Sequence, residues 1–163
     1  MKCILYVVST LEKCGPTTQL YNIISNIDHN IFKVHLVTLS KEIENSKKNE
    51  FDQLNVVHHC LNLPFRWSIF KASRQIKQLI NSISPNIIHS QGVRADIVSS
   101  LLKGYITRVN TIRSFPQVDY ISEYGYLYGK CMVFIHMKAI RKMDVVIGVS
   151  DAVTHNLTDN FNF

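Results

Sequence analysis

Cys3-Ile-Leu-Tyr-Val-Val8, followed by Ser9-Thr-Leu-Glu-Lys-Cys14, then Gly15-Pro16 and a helical pattern through residue 28, is the stretch that decides the fold. A short apolar run bounded by turn residues reads as a strand buried on both faces, as in parallel sheets. Pro16 suits the first turn of a helix, where its missing N–H leaves no bond unmade. Gly15 lets the backbone come close to whatever lies above it, or merely makes the turn. The helix so opened aims unpaired N–H groups at the carboxyl edge of the sheet, where open α/β folds hold anionic ligands.

Outward from there the pattern repeats. Residues 17–28 read as a helix with Leu20, Ile23, Ile24 and Ile27 on one side, and residues 32–39 as a strand with one more exposed face, near an edge. Residues 41–52 are polar, a surface loop or short helix, and 55–59 a brief strand. An amphipathic helix over 69–83 stops before Pro85, which cannot continue it. Residues 86–90 form the next strand, Gln91-Gly92 a turn, and 93–103 a helix closed by Gly104. A strand over 107–113, a long helix over 121–143 and a last buried strand over 144–149 follow, with Ser150 capping a final helix from Asp151. Strands alternating with helices build right-handed βαβ units. The expected fold is α/β: a single doubly wound, mainly parallel Rossmann-like sheet with helices on both faces, occupying residues 1–163 as one domain.

Composition agrees with a globular chain, at 46% apolar and 18% charged residues, and shows no repeat or low-complexity tract. Lys2 precedes six apolar residues before Ser9, too few for a secretory leader or a membrane span. Cys3, Cys14, Cys60 and Cys131 are scattered without a CxxC pair, which suits reduced thiols and a cytoplasmic location. The charge is lopsided. Residues 1–65 carry six basic and six acidic side chains, whereas 66–142 carry twelve basic against three acidic. That imbalance implies an anionic partner: a phosphorylated ligand, an anionic membrane or nucleic acid.

Three strand-end loops, at residues 9–15, 89–94 and 113–116, should meet at one edge of such a sheet. Arg113 is the strongest anion-binding candidate, since a guanidinium is permanently charged and forks onto phosphate oxygens. His89 is either a site residue or a satisfied histidine at a strand end; Arg94 and Asp96 are either site or surface residues, the latter favoured by the helix dipole. No GxGxxG follows the first strand and no acidic residue ends the second, which disfavours a dinucleotide site. P-loop and GxSxG patterns are also missing. His58-His59-Cys60 is a poor metal set, because neighbours on a strand point to opposite faces. On a wheel of 100° per residue, Tyr128, Met132, Ile135 and Ala139 fall on a sheet-facing side of the long helix. Lys130, Phe134, Met137, Lys138 and Arg141 fall opposite, a pattern suited to an anionic membrane surface or to cover by another domain. Nucleic acid is not expected, as the aromatics form no stacking platform.

The runs Ile4-Leu-Tyr-Val-Val-Ser9 with Gly15-Pro16-Thr-Thr-Gln-Leu-Tyr-Asn-Ile-Ile24, Pro85-Asn-Ile-Ile-His-Ser-Gln-Gly-Val-Arg-Ala-Asp96 and Met143-Asp-Val-Val-Ile-Gly-Val-Ser150 resemble the amino-terminal half of bacterial family 4 glycosyltransferases with the GT-B fold. The resemblance spans essentially the whole chain. It implies an acceptor-binding domain whose donor-binding, carboxy-terminal partner lies outside this chain, so the chain alone should not transfer sugar. It implies retention of anomeric configuration, no metal, a UDP- or GDP-sugar as co-substrate, a sugar or lipid-linked acceptor, and work on capsule, exopolysaccharide or other surface glycans at the inner membrane face. Gly15, Pro16, Gly92, Arg94 and Arg113 become substrate- or phosphate-binding candidates, and His89 and Gln91 catalytic candidates. Two positions depart from the family's pattern. Cys14 stands where a first glycine is common, and Gln91 where many members carry a second histidine, so no proton can be taken up there. A stand-alone Rossmann-like module that binds a phosphorylated ligand or docks on membranes is the alternative expectation.

Overall fold

The computed structural model describes residues 1–64, 68–102, 104 and 106–163. Its elements are β1 (Lys2–Val8), α1 (Gly15–Asn26), β2 (Phe32–Thr38), α2 (Lys48–Asp52), β3 (Val56–Cys60), α3 (Ile69–Ile83), β4 (Ile87–Gln91), α4 (Val93–Ser100), β5 (Thr107–Ile112), α5 (Pro116–Tyr124), α6 (Tyr126–Ile140), β6 (Val145–Gly148) and α7 (Asp151–Phe161). The six strands pair in parallel in the order β3-β2-β1-β4-β5-β6. The chain winds one way from β1 and then the other, so β1 and β4 flank the switch point where such sheets open a crevice. The doubly wound expectation holds.

Alternation along β1 divides the core. Leu5 and Val7 join Val37, Leu39 and Ile88 beneath Ala72 and Ile76 of α3 and Ala95 and Val98 of α4. Ile4, Tyr6 and Val8 face Leu20 and Ile24 of α1 and Phe51 of α2. Each fully buried aliphatic side chain contributes about 1.5–3 kcal/mol. A third cluster joins Ile112 and Val146 to Met137 and Ile140 of α6 and Val153 and Leu157 of α7. No helix among the described residues is long and apolar enough to cross a membrane.

Several expected elements change. The 32–39 strand is buried on both faces from Val34 to Thr38, because β3 pairs outside it and helices cover both sides. The 144–149 strand is not buried: β6 is the sheet edge, and α6 and α7 cover its Val146 side while Val145 and Ile147 stay exposed. The 93–103 helix ends at Ser100, and its expected last residue, Lys103, lies outside the described residues. The 121–143 helix is two helices. Pro116 starts α5 early, and Gly125, at φ +80° and ψ 168°, breaks the run before α6. That left-handed φ is open to glycine at little cost. The chain folds back there so closely that a Cβ on Gly129 would lie 2.5 Å from the Tyr120 carbonyl oxygen. This pairing sets the roll of α6: Gly129, His136, Met137 and Ile140 turn inward, and Tyr128 and Ile135 turn outward. Met137, expected on the exposed basic face, is therefore buried, at 4% exposure.

Candidate functional site

The loop after β1 is fastened from behind before it reaches the sheet edge. The Leu11 N–H donates to the Glu42 carboxylate at 3.0 and 3.1 Å, and Ser46 Oγ donates to the same group at 2.6 Å. Backbone bonds from Lys13 to Asn45 and from Lys47 to Leu11 complete the clasp. The loop runs into α1 with Cys14 as its N-cap, and no side chain caps that helix. Gly92 opens α4 in the same way, at φ +92°, again without a side-chain cap. Both helices thus keep first-turn N–H groups free of side-chain partners at the carboxyl edge.

Between these loops and the one after β5 lies a cleft of about 290 Å³. Pro16, Gln91, Gly92 and Arg113 all line it, with Cys14, Tyr120 and His136. Gly15 lies in the first turn of α1 beside the lining residues Cys14 and Pro16, and a Cβ there would meet nothing within 4 Å. The three loops therefore converge.

Arg113 is held in a fixed pose. Its Nε donates to Gln19 Oε1 of α1 at 2.8 Å and its Nη2 to Gln91 Oε1 of β4 at 2.7 Å. Two neutral amide oxygens orient the guanidinium without cancelling its charge. Gln91 is 6% exposed, and its Nε2 has no hydrogen-bond partner among the described residues. A buried donor left in this way amounts to roughly 1–3 kcal/mol of unmade interaction.

Two candidates lie elsewhere. His89, two residues below Gln91 on β4, bonds Thr111 Oγ1 through Nε2 at 2.7 Å and packs on the Tyr6 ring at 5.2 Å. Burial, and then the nearby Arg113 charge, push its pKa down to about 4, so it is neutral near pH 7. Arg94 is buried away from the cleft and donates to Ser40 Oγ, to the Pro64 carbonyl at 3.1 Å and to Ser68 Oγ at 2.6 Å. It ties the ends of β2 and α3 to α4, as a fastener of the fold. His58, His59 and Cys60 diverge as strand neighbours do: His58 meets Thr38, His59 meets His35, and Cys60 donates to the Ser40 carbonyl.

Sequence reasoning missed a buried chain of polar groups on the cleft wall. Asp96, fully buried in the first turn of α4, accepts from Ser90 Oγ at 2.6 Å, and its other oxygen stands 2.8 Å from His136 Nε2. His136 Nδ1 stands 2.8 Å from the Tyr120 hydroxyl. Burial, and then the Asp96 charge, push the Tyr120 phenol well above its ordinary pKa, so it keeps its proton. The sequence signal for this chain was the pair Gly125 and Gly129, which folds Tyr120 back onto His136.

A search of curated protein sequences returns no match. Among solved structures, the fold is similar to sucrose-phosphate synthase from Thermosynechococcus elongatus, at TM-score 0.71 and 13% identity over 99% of this chain and 45% of that one. It is also similar to a glycosyltransferase from Rickettsia africae (TM-score 0.63, 13% identity, 99% of this chain and 40% of that one). A third similar structure is the UDP-GlcNAc 2-epimerase from Methanocaldococcus jannaschii (0.57, 16%, 98% and 42%). The chain thus spans less than half the length of each. At these identities the likeness is one of fold. The family model described as "Glycosyl transferase 4-like" matches residues 9–148, which include all three cleft loops, and the chain belongs to that family.

Proposed function

We propose that this domain is the acceptor-binding wall of a retaining, nucleotide-sugar-dependent glycosyltransferase that builds a capsule, exopolysaccharide or other cell-surface glycan. One observation carries the reading: a cleft at the β1/β4 switch point holds Arg113 between two amide oxygens, in a chain of the glycosyl transferase 4-like family. Transfer breaks the bond between the anomeric carbon and a nucleoside diphosphate, so negative charge grows on the leaving oxygen. Arg113 and the first turns of α1 and α4, at Gly15-Pro16 and Gly92, offer fixed positive ends to that charge. Gln91 hydrogen-bonds the sugar without exchanging a proton. The UDP- or GDP-sugar belongs to a carboxy-terminal domain that closes over the cleft, and the acceptor is a sugar or lipid-linked sugar. The 40–45% span of the similar structures supports a further domain. This domain is assigned no metal and no cofactor of its own, and a place on the cytoplasmic face of the inner membrane.

The test offers UDP- and GDP-sugars to the 163-residue chain and to the polypeptide extended through the coding sequence that follows it. Transfer by the extended form alone is expected. Tight donor binding by the shorter chain overturns the assignment of the donor site. Binding of a phosphorylated ligand with no transfer by either form favours the stand-alone module instead.

A second reading, docking on an anionic membrane, rests on a groove of about 640 Å³ between α5, α6 and α7. Ile121, Val133 and the buried Met137 line it together with Lys130, Lys138 and Arg141. Phe134 lines it as well, 65% exposed. Cations around apolar side chains match the two halves of an anionic lipid surface.

A further inference from the structure

The cleft has a second wall whose chemistry the sugar-transfer reading does not use. Asp96, His136 and Tyr120 come from α4, α6 and α5, and all three line the cleft. A carboxylate only accepts hydrogen bonds. Ser90 Oγ serves one oxygen of Asp96, so the other takes the proton of His136 Nε2. The tautomer that this pairing selects carries its lone pair on Nδ1, which faces the Tyr120 hydroxyl at 2.8 Å. Tyr120 therefore spends its own proton inward on His136. Its oxygen lone pairs are left for the cleft, where they can accept a hydrogen bond. Across the cleft the geometry is of opposite sense. Arg113, held by Gln19 Oε1 and Gln91 Oε1, is a donor that lines the same cleft. The cleft thus offers one oriented acceptor, Tyr120 Oη, and one oriented cationic donor, Arg113.

We propose that Tyr120 is the residue that receives a hydroxyl of the acceptor saccharide, with His136 and Asp96 as positioning residues behind it. The ligand class is a polyhydroxylated sugar: an O–H that donates to Tyr120 Oη and a second oxygen that accepts from the Arg113 guanidinium. A fully deprotonated oxyanion such as sulfate fits the Arg113 side and has no donor for Tyr120. The proposal rests on the sugar-transfer reading for the identity of the bound sugar as an acceptor, and on the hydrogen-bond geometry for the rest.

The experiment uses protein carrying 15N-histidine, observed through the long-range couplings that distinguish the two ring nitrogens. Probes are the methyl glycosides of glucose, galactose, mannose and N-acetylglucosamine, with sulfate as a contrast. The expected ground state has His136 protonated on Nε2. At least one glycoside shifts its Nδ1 resonance and sulfate does not. Tyr120→Phe, which removes one oxygen atom, abolishes that shift and weakens glycoside binding about five- to tenfold while the rest of the spectrum keeps its dispersion. Asp96→Asn releases the tautomer and weakens the same glycoside, an effect that simple support of the fold would not produce in a well-dispersed protein. Three results overturn the proposal: His136 protonated on Nδ1, no glycoside that moves it, or equal glycoside binding by Tyr120→Phe. Glycoside binding that depends on Tyr120, combined with no transfer by the extended polypeptide, leaves this site standing and removes the sugar-transfer reading. Transfer that ignores Tyr120→Phe does the reverse.

Discussion

Arg113 Nη2 donates to Gln91 Oε1 across 2.7 Å, and this bond turns the amide of Gln91 so that its NH2 has no partner among the described residues. The ends of β4 and β5 are thereby locked together beside the switch point, with a cation held at the cleft. Arg113→Met should weaken binding of a small anionic sugar such as glucose 1-phosphate about ten- to a hundredfold, the range for a charge-assisted bond. Gln91→Glu places a carboxylate against the guanidinium and should lower the same affinity without lowering thermal stability. Titration calorimetry with a melting curve reads both; undiminished binding by either variant would remove Arg113 from the site.

Arg94 and Arg113 should separate fold from function. Arg94→Ala deletes the donor shared by Ser40, Pro64 and Ser68 in a buried setting, and a loss of about 2–4 kcal/mol is expected in urea unfolding. Arg113→Met, whose side chain is only partly buried at the cleft, should change stability by under about 1 kcal/mol. Equal losses would contradict the division.

His89 makes stability depend on pH. Its folded pKa of about 4 lies below the ordinary 6.5, so the unfolded chain binds more protons between those values. Its contribution is complete above about pH 6.5 and is lost as pH falls toward 4, on the order of 3 kcal/mol at most. Burial lowers His35, His58 and His59 as well, and they act with the same sign. His89→Asn should therefore flatten the acid limb of urea midpoint against pH by up to one proton. An unchanged limb would show that His89 is not held neutral.

Gly129→Ala tests the close pairing of α5 and α6. The added methyl would meet Tyr120 O at 2.5 Å and backbone atoms of Ile121 at 2.6 and 2.7 Å, none of which can swing aside. A loss of about 1–3 kcal/mol is expected, with displacement of Tyr120 from His136. Gly125→Ala should cost about 1–2 kcal/mol through its left-handed φ alone. Calorimetric melting of the two variants checks the order of magnitude.

Flotation with vesicles containing anionic lipid tests the groove beside α6. Reversing two charges in Lys138→Glu with Arg141→Glu should reduce partitioning by tenfold or more, given about 1 kcal/mol per basic residue near the surface. Phe134→Ser should reduce it with neutral lipid too. Partitioning that ignores all three substitutions would reject the membrane reading.

Much of the fold was legible. The run Cys3–Val8 and the alternation of apolar runs with helical periods were enough for a parallel sheet, because each apolar strand can bury two faces only between helix layers. The convergence of the 9–15, 89–94 and 113–116 loops followed from that topology. The break at Gly125 was hidden inside a continuous apolar pattern. The wheel drawn through it consequently put Met137 outside and Tyr128 inside, the reverse of their positions.

The sequence by itself determined the strand and helix periodicities, the basic middle of the chain and the family to which its motifs belong, since each depends on neighbours within a few turns. Only the tertiary structure decided which polar residues serve the cleft. Arg94 and Arg113 are chemically identical in sequence, yet one is spent on Ser40, Pro64 and Ser68 and the other is presented at the sheet edge. Asp96 and His136 lie forty residues apart and meet at 2.8 Å because two glycines let α5 fold back on α6. Hydrogen-bond partners at such separations are set by the packing of whole helices, which no local pattern encodes.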